Sequence, residues 1–574
     1  MRAAPHHPVG RIKRSADPTS RRVPVVKTFA AIPTRLPCAS RNPQFFPSSS
    51  RRLENRGPIL AHVLDPDTGS PPFSNWRGGR YGSPIRSPDF GSEIMWEAGR
   101  ARVSLGLLRH CHLFCILTSK LPPVANLGLP WRTKLRHDSR RKMIDQIEIH
   151  GFKSAIDPIH LKLRPLTIIA GENSSGKSSI MQPVLLLKQS LETPYDPGDI
   201  HIAGPNVQFT RADQLFSRTL GDQSREIQIK FKDKNNASYS FFYARSETGP
   251  ILLNRAEMQA GNSVYTLKQG MQSEVLYEQF KSLVSKERIL KVFGTDEHKL
   301  LVKRDRCFLE VWSESRYGQI NVMYFADGPP LGSSEIRSYL QGLIHVPGLR
   351  GNPDRVYQKS AVPEYFPGLF NDYVASIMHN WKEKKDPRLK SVGKYLEKLG
   401  LGWKVDTRQV DDTKVEVLIS RLPKGSRGGA RDLVSIADVG FGVSQTLPVV
   451  VSLLAAKEGQ TVYVEQPEIH LHPMAQIALA EIICDAVKKG VNVLAETHSN
   501  LLLLGIQILL AKRKIEASEV GLNWFARRPA DGATVIDYAD VDDLGRFGSW
   551  PVNFNEVELK AHDEYMSIIE KRLL

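Results

Sequence analysis

The stretch Leu166-Thr-Ile-Ile-Ala-Gly-Glu-Asn-Ser-Ser-Gly-Lys-Ser-Ser179 limits what this chain can fold into more than any other. A short β-branched run reads as a buried strand. Gly171 and Gly176 then bracket four residues, and Lys177 and Ser178 follow, which is the G-x-x-x-x-G-K-[ST] spacing of a phosphate-binding loop. Glycines at those two places let the backbone curl so that its N–H groups face inward as an anion nest. A helix starting near Lys177 adds the positive end of its dipole. The expected contacts with a nucleotide are Gly171, Glu172, Asn173, Ser174, Ser175, Gly176, Lys177, Ser178 and Ser179. Lys177 would reach the β- and γ-phosphates, and the Ser178 hydroxyl would ligate Mg2+. A chance glycine-rich turn is the competing reading. The strand before the loop and the amphipathic run Ser179 to Leu191 after it supply the context that a chance turn lacks.

Composition matters mainly for where the charge lies. The formal net charge is +17, and residues 1–142 account for all of it with 25 Lys+Arg against 8 Asp+Glu. The basic balance therefore belongs to that quarter and says nothing about the part carrying the phosphate loop. The same quarter is rich in Arg, Pro, Ser and Gly and shows no sustained periodicity, a composition that cannot offset chain entropy by burial. It reads as a disordered basic extension. A transit peptide fits poorly, because of its length and of Glu54, Asp65, Asp67, Asp89, Glu93 and Glu97. A nucleic-acid-binding tail is a second reading. The favoured third reading is that the working protein starts at Met143, directly before a well-formed strand. Cys38, Cys111, Cys115, Cys307 and Cys484 form no CxxC pair or zinc spacing, which points to a reducing, cytoplasmic setting. No run approaches the roughly 18 apolar residues of a membrane span.

From Met143 the pattern sharpens. Met143 to Ser154 alternates like a strand, with Leu161 to Pro165 as its hairpin partner, and Leu166 to Ala170 leads into the phosphate loop. We expect residues 143–200 to be the first part of a nucleotide-binding core. Residues 201–430 should form an antiparallel β lobe and a helical insertion, because Ile227-Gln-Ile-Lys-Phe-Lys and Ala237 to Tyr243 alternate while Glu274 to Val292 and Leu369 to Leu399 look helical. The core should resume over 431–535, where the buried-type strands Thr461 to Glu465 and Val491 to Thr497 flank an amphipathic helix from Met474 to Lys489. A strand–helix–strand unit implies a parallel sheet. Residues 536–574 should be a helical tail.

Three further segments carry chemistry. Val462-Tyr-Val-Glu465 is followed by Gln466-Pro-Glu-Ile-His-Leu-His-Pro473, an apolar strand ending in a carboxylate able to hold a Mg2+ hydration shell. Glu496-Thr-His-Ser499 sets a histidine at the end of the next strand, where it could touch a γ-phosphate. Asp438-Val-Gly-Phe-Gly-Val-Ser-Gln445 is a glycine-rich turn opening a helix, suited to a second anion contact.

In this order the motifs resemble those of the prokaryotic ABC-type AAA ATPases of the OLD/RecF/SMC-like group. The opening Ile-Glu-Ile-His-Gly-Phe-Lys-Ser154 and Val346-Pro-Gly-Leu-Arg-Gly-Asn-Pro-Asp-Arg-Val-Tyr357 are also similar, and the resemblance covers roughly 143–574. It implies an α/β fold: an ABC-type P-loop NTPase head with a mixed sheet core flanked by helices, plus the β lobe and insertion. It implies ATP as the nucleotide, Mg2+, and a head-to-tail homodimer that closes on two ATPs. Gly442, Ser444 and Gln445 of one copy would then reach the γ-phosphate on the other. His498 would be the switch histidine, and Glu465 would take the Walker B acidic position as a Mg2+ ligand with Ser178. Gln182 and Gln189 are the candidates for the Q-loop glutamine.

The position after the Walker B acid usually carries a catalytic Glu, and here it is Gln466. Either Glu468 is the base, or hydrolysis is slow and the protein works as an ATP-gated clamp. His470 and His472 could pair on a metal but more readily shape the loop. Arg350 and Arg355 are open between nucleotide contacts and solvated surface. Phe152 and Lys153 could flank an adenine, with Phe152 better read as core. Asp537, Asp540, Asp542 and Asp543 could suggest a metal nuclease, but only about 75 residues follow His498, little room for a nuclease domain. The reading reached is a slow ATPase acting as a dimeric switch for a separate effector protein, in antiviral defence or DNA maintenance. The alternatives are an OLD-type nuclease and an ATP-gated DNA-binding clamp, and no membrane partner is expected.

Overall fold

A computed structural model of the chain describes residues 144–218, 224–246, 250–280, 299–315, 318–321, 333–425, 431–548, 560 and 562–570. The basic N-terminal quarter and Met143 lie outside the described residues, as do residues 281–298 and most of the segment after 548.

The chain opens with an antiparallel hairpin, β1 (Ile144–His150) and β2 (Ile159–Lys162), and then enters β3 (Leu166–Gly171), whose residues are all buried. Helix α1 (Lys177–Glu192) follows the phosphate loop. Next come β4 (Glu226–Asp233), β5 (Ser238–Arg245), β6 (Ile251–Ala260) and β7 (Ser263–Leu267). These join the first hairpin in a six-stranded antiparallel sheet of order β2-β1-β4-β5-β6-β7. The opening hairpin thus belongs to the lobe and not to the nucleotide-binding sheet. Strand β4 alternates buried and half-exposed positions, as its sequence predicts. Strand β5 does not, because both of its faces are covered. Tyr239 and Tyr243 reach the backbone carbonyls of Leu309 and Cys307, and the Arg255 guanidinium lies 3.6 Å from the Phe242 ring centroid on the other face.

Beyond a short helix α2 (Ser273–Phe280), a three-stranded antiparallel sheet is built from β8 (Lys299–Asp305), β9 (Phe308–Ser315) and β10 (Gly318–Asn321). Helix α3 (Ser333–Gly342) leads to β11 (Ile344–Val346). The insertion holds β12 (Tyr357–Gln358), α4 (Val374–Glu383), α5 (Pro387–Lys398), β13 (Val405–Asp411), β14 (Lys414–Ser420) and β15 (Leu433–Ser435).

The core resumes with α6 (Phe441–Ala455), β16 (Thr461–Glu465), α7 (Pro473–Val487), β17 (Asn492–Glu496), α8 (Asn500–Ala511), β18 (Val520–Arg527) and β19 (Thr534–Tyr538). Six strands make the central sheet in the order β11-β16-β17-β3-β18-β19, parallel except for the last pair. Its edge strand β11 comes from within the 201–430 region, and β19 carries the sheet past residue 535 to Tyr538. Residues 562–570 are helical.

Period-two alternation makes this a two-sided sheet. Ile168, Val462, Val464, Val493 and Ala495 face a core shared with α6, α7, α8 and the insertion, whereas Ile169, Tyr463 and Leu494 face the core shared with α1 and the lobe. Parallel strands buried on both faces read as continuous apolar runs, which is why Leu166 to Ala170, Thr461 to Val464 and Val491 to Ala495 stood out. The carboxyl ends of β3, β16 and β17 all reach one edge, where ligands of open α/β sheets bind.

Candidate functional site

The phosphate loop joins β3 to α1 and needs glycine at both ends. Gly171 has φ 144°, and a Cβ there would lie 2.1 Å from the Phe525 carbonyl oxygen. Gly176, with φ 100°, would bring a Cβ to 2.3 Å from Thr534 Oγ1. The loop is pinned from behind. Thr534 Oγ1 donates to the Ser175 carbonyl at 2.8 Å and lies 2.8 Å from Ser154 Oγ, and Arg527 Nε donates to the Ser174 carbonyl at 2.7 Å. Glu172, Asn173 and Ser174 are exposed at the crest, while Ser175 is buried and Ser179 half-buried at the start of the helix.

Lys177 is 5% exposed and folds over the loop, donating to the carbonyls of Gly171, at 3.1 Å, and Glu172. Burial brings its ammonium below the usual lysine range, with Glu496 and Glu172 opposing. Ser178 Oγ donates to Glu496 Oε1 at 2.7 Å, and the buried Tyr463 hydroxyl donates to Glu496 Oε2 at 3.0 Å. Burial pushes the Glu496 carboxyl up; the Ser178 hydrogen bond opposes this and the Glu465 charge adds to it. Glu496 was visible in the sequence only as part of the Glu-Thr-His-Ser motif. Its partnership with Ser178 depends on β17 lying between β16 and β3.

Glu465 ends β16 and meets both the Tyr463 hydroxyl and the neighbouring β11 segment. Its Oε2 accepts the Gly348 N–H at 3.0 Å, and its Oε1 lies 3.3 Å from His345 Nε2. His345 is 2% exposed, stacks on Tyr463 with centroids 5.4 Å apart, and meets Asn206 Oδ1 through Nδ1 at 3.0 Å. Burial alone would raise Glu465, but the hydrogen bonds from His345 and Gly348 outweigh it and hold the carboxyl below its ordinary range. Neither His345 nor Asn206 stood out in the sequence, because each lies more than a hundred residues from Glu465 along the chain.

Gln466 follows with φ 44°, its N–H bonded to the Glu496 carbonyl at 2.7 Å. Glu468 is buried. Its Oε1 accepts the His498 N–H at 2.8 Å, and its Oε2 has no protein partner. Burial pushes the Glu468 carboxyl up and brings the half-buried His498 imidazole down. Arg350 also enters the site. Its Nη2 donates to the carbonyls of Glu465 at 2.6 Å and Gln466 at 3.2 Å, its Nε and Nη1 are buried without protein partners, and burial brings it down to about 10. Arg355 is instead an exposed ion pair with Asp438, at 2.6 Å.

The remaining candidates fall as follows. At the head of α6, Asp438, Gly440 and Phe441 are exposed, whereas Ser444 and Gln445 are buried, Ser444 Oγ on the Phe441 carbonyl and Gln445 Nε2 on the Gly351 carbonyl at 2.7 Å. Gly442 is half-buried, close to the His470 carbonyl. Gln189 is buried with its amide on the backbone of His201 and Val207, so it fastens the loop after α1. Gln182 accepts from Lys153 Nζ at 2.6 Å, and Phe152 is core. His472 Nδ1 caps α7 by accepting the Met474 N–H, and the His470 ring centroid lies 6.0 Å from that of Phe441. Among the described residues no group of three His, Cys, Asp or Glu side chains is placed to hold a metal, the four C-terminal aspartates included.

The residues present fit a nucleotide phosphate with a divalent cation. The cradle has room for backbone only, a lysine lies over it, the Ser178 hydroxyl stands in the first turn of α1, and two carboxylates sit at the ends of the adjacent strands β16 and β17.

The family model described as "AAA domain, putative AbiEii toxin, Type IV TA system" matches residues 166–504. No curated protein matches the chain significantly. Among solved structures, the SMC head domain from Thermotoga maritima is similar over 70% of this chain and 100% of its own, at 10% identity and a TM-score of 0.33. The Smc head domain from Pyrococcus furiosus, with an extended coiled coil and bound to the C-terminal domain of ScpA, is 11% identical over 69% of this chain and 96% of its own, with a TM-score of 0.33. The Smc head domain from Pyrococcus yayanosii, with a coiled coil and joint, is 9% identical over 69% and 97%, with a TM-score of 0.34.

Proposed function

The chain belongs to the family described as "AAA domain, putative AbiEii toxin, Type IV TA system", and from that premise we propose that it is a slow, Mg2+-dependent ATPase whose ATP-bound heads pair and switch a separate effector protein. The observation that carries this reading is the phosphate loop itself, a glycine-bounded nest with Lys177 drawn over it and pinned from behind by Thr534. The backbone nest and Lys177 hold the phosphates, and Ser178 stands where a hydroxyl meets the cation. Ser178 would help to hold Mg2+, which would supply charge neutralisation to the phosphates.

Glu468 is the favoured general base. Its Oε1 is fixed by the His498 N–H, its Oε2 is free of protein donors, and burial pushes its carboxyl up, which makes it a better proton acceptor than an exposed carboxylate. Gln466 can orient water but is a poor proton acceptor. Gly442, Ser444 and Gln445 supply the turn that closes on the other copy's nucleotide, with Gly440 and Phe441 as its exposed face. The family description, which names a toxin of a type IV toxin–antitoxin system, favours a defence role over DNA maintenance. No described helix is long and apolar enough to cross a membrane.

The test is phosphate release from the full-length protein with Mg2+ and ATP, beside Lys177→Ala. Turnover lost by at least a hundredfold in the variant supports the reading. Equal turnover in both proteins would show that the activity comes from elsewhere.

A further inference from the structure

We propose that Arg350 is a positioning residue for ATP hydrolysis, acting through Glu468 as the buried counter-charge that keeps this carboxylate ionised and the turn after β16 in place. This deepens the ATPase reading, with Glu468 as base, and rests on it. Strand β11 runs parallel to β16, with Val346 opposite Val464. The chain leaving β11 therefore passes the end of β16, and Arg350 arrives beside the turn that carries Gln466 and Glu468. The loop is held on both sides of Arg350. The Gly348 N–H donates to Glu465 Oε2 at 3.0 Å, and the Gly351 carbonyl accepts from Gln445 Nε2 at 2.7 Å. Between these ties Leu349 is 90% exposed, whereas the Arg350 guanidinium is turned inward.

A guanidinium carries its N–H donors in a rigid fork and is always charged. Nη2 donates to the Glu465 and Gln466 carbonyls, while Nε and Nη1 are buried with no partner. Bonds to carbonyls fasten the turn but leave the charge unbalanced, and a buried cation without a counter-charge is costly. Glu468 supplies the balance. Its Oε1 accepts the His498 N–H, and its Oε2 is buried with no partner. Of the carboxylates near Arg350, Glu468 acts on it most strongly, ahead of Glu465, and Arg350 in turn favours the ionised Glu468. The two are not in hydrogen-bonding contact, so the attraction acts across the space between them, as a poorly solvated interior allows. A base must be ionised before it can take a proton. Burial works against that in Glu468, and the Thr497 hydroxyl and Arg350 work for it.

The measurements are phosphate release at saturating ATP and the affinity for a fluorescent ATP analogue, both on the full-length protein with Mg2+. Arg350→Met should lower turnover by about tenfold or more, with affinity unchanged within about threefold. Arg350→Lys, which keeps the charge but loses the fork, should stay within about threefold of wild-type turnover. With Glu468→Gln already in place, adding Arg350→Met should lower turnover by less than about twofold, because the group that Arg350 serves is gone. Wild-type turnover in Arg350→Met, an equal loss in Arg350→Lys, or the same loss in both backgrounds overturns the assignment. Melting temperatures test the pair without turnover. The double variant should melt at least about 3 °C above the value that adding the two single shifts gives, since each single variant leaves the other charge buried and unbalanced. Additive shifts overturn the assignment, and so does a double variant no more stable than an Arg350→Met protein that fails to fold. A wild-type protein without turnover overturns the ATPase reading, and the melting temperatures then decide the pair alone.

Discussion

Glu468 and Gln466 are two residues apart, yet the backbone turns them into different environments. Gln466 sits at φ 44° in the turn after β16, while Glu468 is buried with one oxygen tied to the His498 N–H. Phosphate-release rates should therefore fall at least as far in Glu468→Gln as in Gln466→Ala, by about tenfold or more, and a Glu468→Gln variant with near-wild-type turnover would remove it as the base. A different residue reports on the lobe. Cys307 is fully buried, and burial pushes its thiol up to about 12 from an ordinary 9.0. Between those values the folded chain holds a proton that the unfolded chain has lost, so stability should fall as pH rises through that window. At pH 8 the folded protein should leave Cys307 unlabelled by a thiol reagent while denaturant exposes it, as peptide mapping would report.

At the scale of elements, what the sequence declared and what it hid separate cleanly. Strands β3, β16 and β17 were legible because burial on both faces writes an apolar run, and the phosphate loop because two glycines and a lysine keep a fixed spacing. Hidden were the facts that depend on sheet order. Nothing local says that β17 lies between β16 and β3, that β11 arrives from the insertion to flank β16, or that β1 pairs with β4 and so carries β2 into the lobe. For the same reason Glu496, His345 and Asn206 could not be picked out, and Gln189 read as a Q-loop candidate when its amide fastens the backbone of His201 and Val207. Helix α1 shows what such long-range ties are worth. Lys188 is fully buried, pairs with Glu192 and donates to the Phe366 carbonyl, while Glu192 accepts the Gly368 N–H at 3.0 Å, joining the phosphate-loop helix to the insertion. Lys188→Met should cost about 3–5 kcal/mol by leaving a buried carboxylate unpaired. Lys188→Met with Glu192→Leu should cost less, about 1–3 kcal/mol, because the main remaining penalty is an orphaned Gly368 N–H. Urea midpoints would check both, and a single-variant cost below about 1 kcal/mol would refute the coupling.

For the whole molecule, the proposed switch needs two copies. Phe441 is 52% exposed at the head of α6, where the glycine-rich turn would meet a second copy's nucleotide. In a Glu468→Gln background that holds ATP, light scattering should show dimers with ATP and monomers without it. Adding Phe441→Asp should abolish the dimer while changing monomer stability by no more than about 0.5 kcal/mol, as for an ordinary surface substitution; an intact dimer would move the interface elsewhere.

The phosphate loop leans on Thr534, whose hydroxyl reaches a carbonyl 359 residues earlier in the chain. Strand β3 likewise waits for β17 and β18 on its two sides. On a ribosome adding roughly 5–20 residues per second, that interval is about 20–70 s. Throughout it the loop has been made but has no back wall, and until β17 is made its strand has two open edges. A nascent chain halted before residue 534 should therefore be unable to retain ATP, and it should be a substrate for chaperones that recognise bare apolar strands. Nucleotide binding becomes a property that the protein acquires only after Thr534 has been made.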